Sequence, residues 1–383
     1  MRQLKDLMAC GEGVAFLAER DMFVCQADFA ARLQAPANGA LTDYFAAPPG
    51  KPVYALQQIY TDCTPSMLDR MALLRELERH PACFPFFLWI DTDLAGSDPL
   101  MLRMLWTVFG KQASLRLCPA ANDVRELRFI PVDPAAVQEG LARLEVYVSQ
   151  SVTGRKKVAR ARIRERLEAL RAVLLPDPPG AHSDLNYRLS RFLLDNQAGL
   201  NPHSVRVSEL LGLLAAPVNA FINGLDDAIR VFNATAEALR SQSIEPHVKP
   251  LAPDYLPLHV SCRDCRRRLR LRRQAQGVDQ FAAARCRCGE AYRFHLGSGR
   301  LSIDTLGDGA DWSPDVSLTL FLNDLVSGYV AGASSGAYYG LVMAEVLEQV
   351  FGRRRVPILL PRLDGTGAGG GLLHRYLMEG AGG

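Results

Sequence analysis

Between Trp312 and Arg362 the chain reads WSPDVSLTLFLNDLVSGYVAGASSGAYYGLVMAEVLEQVFGRRRVPILLPR. Apolar run, small-residue turn, amphipathic stretch and second apolar run follow one another as they do in one repeat of an open α/β sheet. Val316 to Leu322 reads as a strand ending in polar Asn323 and Asp324. Tyr329 and Val330 lead into Ala331-Gly332-Ala333-Ser334-Ser335-Gly336, small residues that let backbone approach a ligand or a neighbouring strand. Leu341, Val342, Val346, Leu347 and Val350 then recur at helical spacing, and Gly352 stops them. Val356 to Leu360 reads as a short buried strand closed by Pro361. This order puts the small-residue turn at a strand's carboxyl end, where open sheets bind ligands.

Composition limits what surrounds this unit. A chain of 383 residues, 48% hydrophobic, can bury a sizeable core in two or three units. A net charge of +3 gives no whole-molecule field toward nucleic acid or membrane. The opening MRQLKDLMACGEGVAFLAERD carries charges through its apolar residues and no small-residue cleavage site. Nowhere do about 18 uncharged apolar residues run together, so a cytoplasmic protein with no membrane partner is expected. Four of the nine cysteines fall in one cluster, which favours a reducing compartment and a metal over disulfides.

Earlier in the chain, a helical lead-in ends at Ala46-Ala47-Pro48-Pro49-Gly50. Pro52 to Gln58 reads as a strand delivering two amides, Gln57 and Gln58, into a polar turn. Met67 to Arg79 follows as a helix, with Leu68, Met71, Leu74 and Leu77 along one face. Phe84 to Ile90 is a second strand, ending at Asp91-Thr92-Asp93. A right-handed crossover would set the two polar strand ends side by side as an active-site rim. The same side chains also suit a plainer role, capping turns and helix starts.

Gln57-Gln58 after a strand, Pro65 before a helix, Trp89-Ile90 before Asp91-Thr92-Asp93, then Ser313-Pro314-Asp315-Val316, Asp324, Tyr329-Val330, Gly332, Ala337-Tyr338 and Pro361-Arg362 together resemble the bacillithiol biosynthesis cysteine-adding enzyme family. The resemblance spans roughly residues 50 to 362. It implies an α/β fold built on a Rossmann-like open parallel sheet, related to class I nucleotidylyltransferases and carrying a helical insertion. The implied activity is a C–N bond-forming ligase that joins cysteine to the amine of a glucosaminyl malate, with ATP or another nucleotide entering by family analogy. On this reading Asp91 and Asp93 are the catalytic acids. Gln57, Gln58, Thr92, Asp324, Tyr329, Gly332, Ser334, Ser335, Gly336, Tyr338 and Arg362 bind the substrates.

The chain also departs from that family. Leu56 stands where the family has glycine, and Asp93-Leu94-Ala95-Gly96 lacks its histidine. Ala331 to Ser335 replaces Gly-Gly-Pro-Gly-Glu, losing an acid, and no coiled coil follows Arg362. Losing two groups that carry protons near neutral pH points to an altered amino-acid or amine substrate. The alternative is an inactive paralogue, or a zinc-ribbon protein that binds RNA or another partner.

Spacing alone marks Cys262-Arg-Asp-Cys265 and Cys286-Arg-Cys288-Gly289 as two turns supplying four thiolates, the set a structural zinc requires. Ala291 to Leu296 is expected to pair with Arg268 to Leu271 in a small zinc ribbon. Four thiolates would saturate Zn2+, leaving no open position for water. Arg263, Arg266, Arg267, Arg268, Arg285 and Arg287 surround the cluster; some offset its charge, and spare ones leave a phosphate-rich partner such as transfer RNA open.

The basic stretch Ser151 to Leu175 reads as a solvated helix ending at Pro176 to Gly180. A second helix is expected from Pro217, in its first turn, to about Leu239. His182, His203, His247 and His374 form no ligand set in the sequence. The expected division is 1–150, first half of the Rossmann-like core; 151–250, helical connection; 251–300, zinc ribbon; 301–364, second half of the core; 365–383, flexible Gly-rich tail.

Overall fold

The computed structural model describes residues 1–36, 38–47, 50–58, 65–96, 103–108, 111–116, 123–151, 157–175, 180–198, 203–307, 310–316, 325–362 and 372–378. They fall into two compact units. The first comprises Met1–Leu56, Asp69–Leu88 and Pro202–Asp364; the second comprises Gln57–Leu68, Trp89–Asn201 and Gly365–Gly383. In chain order the strands are β1 (Met22–Phe23), β2 (Lys51–Gln58), β3 (Cys83–Ile90), β4 (Leu94–Gly96), β5 (Arg103–Val108), β6 (Lys111–Arg116), β7 (Asp123–Glu126), β8 (His203–Arg206), β9 (Tyr255–Ser261), β10 (Arg268–Gln276), β11 (Asp279–Arg285), β12 (Ala291–Gly297), β13 (Trp312–Pro314), β14 (Gly328–Val330) and β15 (Ile358–Leu359).

A six-stranded sheet runs in the order β1-β15-β14-β2-β3-β8, and its strands are parallel: Met22 registers with Ile358, and Tyr329 with both Ile358 and Tyr54. Cys83 to Ile90 is apolar on both faces and buried along its length, the pattern of an interior strand in a parallel sheet. The helix Pro65–Glu78 links β2 to β3, with proline at its first position where no amide partner is lost. Ala333–Gly336, the π-helical Ala337–Met343 and Ala344–Phe351 form a continuous helix between β14 and β15. Gly352, at φ 59°, ends it in the left-handed conformation glycine adopts most readily. An aromatic core joins these strands and this helix: Tyr54 stacks on Tyr329 at 4.7 Å, Tyr329 meets Tyr339 at 5.0 Å, and Tyr339 meets Tyr338 at 4.8 Å. The strand expected over Val316 to Leu322 lies, beyond Val316, outside the described residues.

The first unit holds a second, antiparallel sheet in the order β12-β11-β10-β9-β13. Two expectations are corrected here. The strand after the second cysteine pair does not lie beside Arg268 to Leu271; β11 intervenes, pairing with β10 on one side and β12 on the other. Trp312 to Pro314 joins β9 in this sheet and not the parallel one.

The helix expected from Pro217 to Leu239 is two helices, Leu211–Asn223 and Leu225–Ser241, bent by 81°. Pro217 lies inside the first of them and not in its opening turn. Gly224 forms the corner: a Cβ there would stand 2.6 Å from Phe351 Cε1, so only glycine admits the neighbouring helix so closely.

In the second unit Pro134–Ser151, Lys157–Leu174 and His182–Ala198 are helical, beside the hairpin of β5 and β6 and the pair β4 and β7. Within the stretch expected to be a flexible tail, Leu372–Met378 is a helix that buries Leu373, Tyr376 and Leu377. Its apolar side chains supply the reason, with Phe192 packed on Tyr376 at 5.0 Å and Arg166 donating 2.6 Å to the Tyr376 carbonyl. No single helix among the described residues is long and apolar enough to cross a membrane.

Candidate functional site

The cysteine cluster is assembled by two tight turns at the ends of β9 to β12. In the first, the Cys262 N–H donates to the Arg267 carbonyl at 2.8 Å and the Arg266 N–H returns to the Cys262 carbonyl at 2.9 Å. Arg266 takes φ 58° to close the turn. In the second, the Cys286 N–H donates to Glu290 at 2.8 Å and the Gly289 N–H to Cys286 at 3.1 Å, with Gly289 at φ 108°. These reversals bring all four Sγ atoms within 4.8 Å of one another. Cys262 lies 3.5 Å from Cys288, and Cys265 lies 3.4 Å from Cys286 and 3.9 Å from Cys288. Tetrahedral metal–sulfur bonds of about 2.3 Å set sulfurs ~3.8 Å apart, so the four thiols can hold one metal ion.

The surroundings favour thiolate at Cys262. Burial opposes ionisation, but the Cys265 N–H, the Tyr292 hydroxyl, the Asp264 N–H and Cys288 together draw its pKa down to about 6. The Tyr292 hydroxyl is itself fixed by an N–H bond from Arg263 at 2.8 Å. At Cys288 the Glu290 N–H favours the thiolate, yet the neighbouring Cys286 and Cys262 sulfurs push the pKa up to about 12. The Cys262 thiolate thus forms readily while Cys265 and Cys288 resist, and a bound cation would relieve that repulsion. Arg266 pairs with Asp311, Arg272 with Asp254 and Arg273 with Asp226, so part of the arginine excess is neutralised by acids of the same unit.

The residues expected at the rim fall into two groups. In the second unit, Asp91 and Thr92 follow β3 and are wholly buried, each 0% exposed. The Arg128 N–H donates to the Asp91 carbonyl at 3.2 Å, and Leu127 donates to that of Asp93 at 3.0 Å. Asp93 accepts from the Leu94 N–H at 2.8 Å through its side chain, the capping role that the plainer reading assigned it. Sequence reasoning missed the polar residues of this unit. Glu126, wholly buried, receives Arg128 Nε at 2.7 Å, and His182, Asn186 and Ser190, four apart on their helix, are all buried. Their spacing, running beside Leu185, Leu189 and Leu193, was the available signal.

In the first unit Tyr329 is fully buried, and burial pushes its pKa up to about 12 against the opposing pull of Arg70 and Ser335. Arg70, 6% exposed, donates to the Leu56 carbonyl at the end of β2. Burial, with the Asp315 carboxylate and Tyr339, raises Tyr338 well above the usual phenol. Gly332 is the residue before the 333–351 helix, and no side chain caps that helix's first amides. Ser334 is exposed, Ser335 half-buried, and Gly336 buried against Leu360 and Leu4.

Arg362 lines a different recess, a cavity of about 170 Å³ formed with Val14, Leu17, Met22, Phe23, Cys25 and Asp28. The backbone of Gln57 and Gln58 ends β2, but their side chains, and Asp324 entirely, lie outside the described residues.

Comparison of the sequence with models of known protein families gives no match, and no curated protein matches it.

Proposed function

We propose that the chain is a zinc-ribbon protein of the Rossmann-like class that binds a small ligand where β2 and β14 lie side by side. The observation that carries this reading is the strand order. From β2 the chain proceeds to β3 on one side, and from β14 to β15 on the other, and an open parallel sheet binds ligands outside the carboxyl ends of strands at such a reversal. The uncapped amides after Gly332 suit a carboxylate or phosphate there. Buried Arg70, held on the Leu56 carbonyl, and half-buried Ser335 supply donors close by.

Cys262, Cys265, Cys286 and Cys288 hold Zn2+ as a structural ion, because four sulfurs at these separations fill its coordination. The more specific form of the reading is the cysteine-adding ligase, with an altered amine or amino acid and a nucleotide for activation. It rests on the residues quoted for the resemblance.

The test is incubation of purified protein with cysteine and candidate amines, with and without ATP, followed by mass spectrometry for a thiol-bearing amide. Ser335→Ala is expected to reduce product at least tenfold while leaving metal content unchanged. Product formation that is indifferent to Ser335 removes the turn from the site. Failure to bind or convert every amine and nucleotide tried overturns the ligand site at β2 and β14.

A further inference from the structure

On β9, Leu256, Leu258 and Val260 lie on one side of the second sheet, and Tyr255, His259 and Ser261 occupy the other. The antiparallel register sets Arg270 opposite His259 and Arg268 opposite Ser261. On the far side of His259 the register places Ser313 of β13. A row of hydroxyl, imidazole and guanidinium groups therefore crosses three strands of one face.

Two of these groups lack a role. His259 is 6% exposed and Ser261 1%, and neither His259 Nδ1 nor Ser261 Oγ has a hydrogen-bond partner. Leaving a buried donor or acceptor unsatisfied costs about 1–3 kcal/mol, and native proteins keep such atoms mainly where something else completes them. Burial, reinforced by Arg268 and Arg270, holds His259 well below the ordinary imidazole pKa, so it stands neutral with one N–H to donate. The acids nearest this face are engaged: Asp315 receives the Tyr255 hydroxyl at 2.7 Å, and Asp311 pairs with Arg266. Arg270 lies over the Tyr255 ring at 5.4 Å and makes no hydrogen bond or ion pair among the described residues. Two arginines beside a neutral histidine repel a cation, whereas donors spread over neighbouring strands match an anion with several oxygens.

We propose that this face is an oxyanion site, taking inorganic phosphate or a phosphoryl group between Ser261 Oγ, His259 and the guanidinium of Arg270, with Arg268 at its rim. It is separate from the metal cluster, whose cysteines begin one residue beyond Ser261, and from the crevice between β2 and β14.

The experiment is calorimetric titration of the full-length protein with inorganic phosphate, sulfate and chloride at matched ionic strength, repeated on Ser261→Ala and Arg270→Met. Saturable phosphate binding is expected in the parent. Each variant should weaken it about tenfold, equivalent to ~1.4 kcal/mol, while metal content and circular dichroism stay those of the parent. Phosphate heats no different from chloride, or equal affinity in parent and variants, would overturn the proposal. So would a crystal grown in phosphate in which water alone bridges His259 and Ser261. Sulfate binding as well as phosphate assigns the site to tetrahedral oxyanions generally; phosphate alone assigns it to phosphoryl groups.

Discussion

The cysteine-bearing hairpins and the parallel sheet belong to the same unit yet reach order by opposite means. Strands β10 to β12 leave most of their side chains exposed or half-buried, and only a few, such as Leu271 and Ala282, are fully buried. The parallel sheet buries Tyr54, Phe86, Trp89 and Tyr329 almost completely. A region with so thin a core depends on cross-links, here four sulfurs placed to hold one ion, whereas a region with a dense aromatic core needs none. The lesson is that damage to one should leave the other standing.

The largest effect expected is at the metal. Cys262→Ser should take bound zinc from one per chain to none by elemental analysis and unfold the hairpins, since structural zinc contributes on the order of 10 kcal/mol to small domains. The β2 and β14 region should keep its hydrogen-exchange protection. If the variant retained zinc and hairpin protection, the contrast would fail at its root.

Next comes the aromatic core. Tyr329→Ala is expected to cost about 3–5 kcal/mol in denaturant unfolding, with zinc content unchanged. Tyr329→Phe should cost no more than about 1 kcal/mol, since it removes only the buried hydroxyl and keeps the ring. Between these two falls Gly328→Ala. Its new Cβ would stand 2.6 Å from Leu33 Cδ2 and 2.8 Å from Phe29 Cζ, an overpacking cost of about 1–3 kcal/mol.

Alkali gives the smallest and most selective probe. Burial raises the pKa of Tyr54 and brings that of Tyr329 to about 12. For groups whose folded pKa exceeds the unfolded value, stability is complete below that unfolded value, near pH 10, and falls as pH rises beyond it. Between pH ~10 and ~11 each such tyrosine should cost up to about 1.4 kcal/mol. Tyr54→Phe and Tyr329→Phe should flatten that slope, and a slope unchanged in both would place the alkaline sensitivity elsewhere.

What the sequence revealed tracks how local each feature is. The cysteine set was legible because each pair closes over a few residues and thiolates have few other uses at that spacing. The small-residue turn, the helix ending at Gly352 and the strands at β2 and β3 were legible from period and punctuation. β11 was missed because its Ala282-Ala283-Ala284 core resembles a helix. The better clue was Gly277, at φ 63° in the two-residue turn where Gln276 faces Asp279. Neither the corner at Gly224 nor the buried row of His182, Asn186 and Ser190 could be read, because each depends on what packs against it from far along the chain. The cavity that Arg362 lines with Val14 to Asp28 was illegible for a related reason: its strand, β1, is two residues long and leaves almost no periodic signal.

That short pairing of β1 with β15 carries a consequence for biogenesis. Met22 and Phe23 can find their hydrogen-bonding neighbours only after Ile358 and Leu359 have been made, nearly the whole chain later. Until then β1 lacks its sheet neighbour, a long-range pairing that slows closure of the sheet. A ribosome stalled before Ile358 would hold a nascent protein whose cysteine hairpins can already mature while its opening strand still lacks a seat.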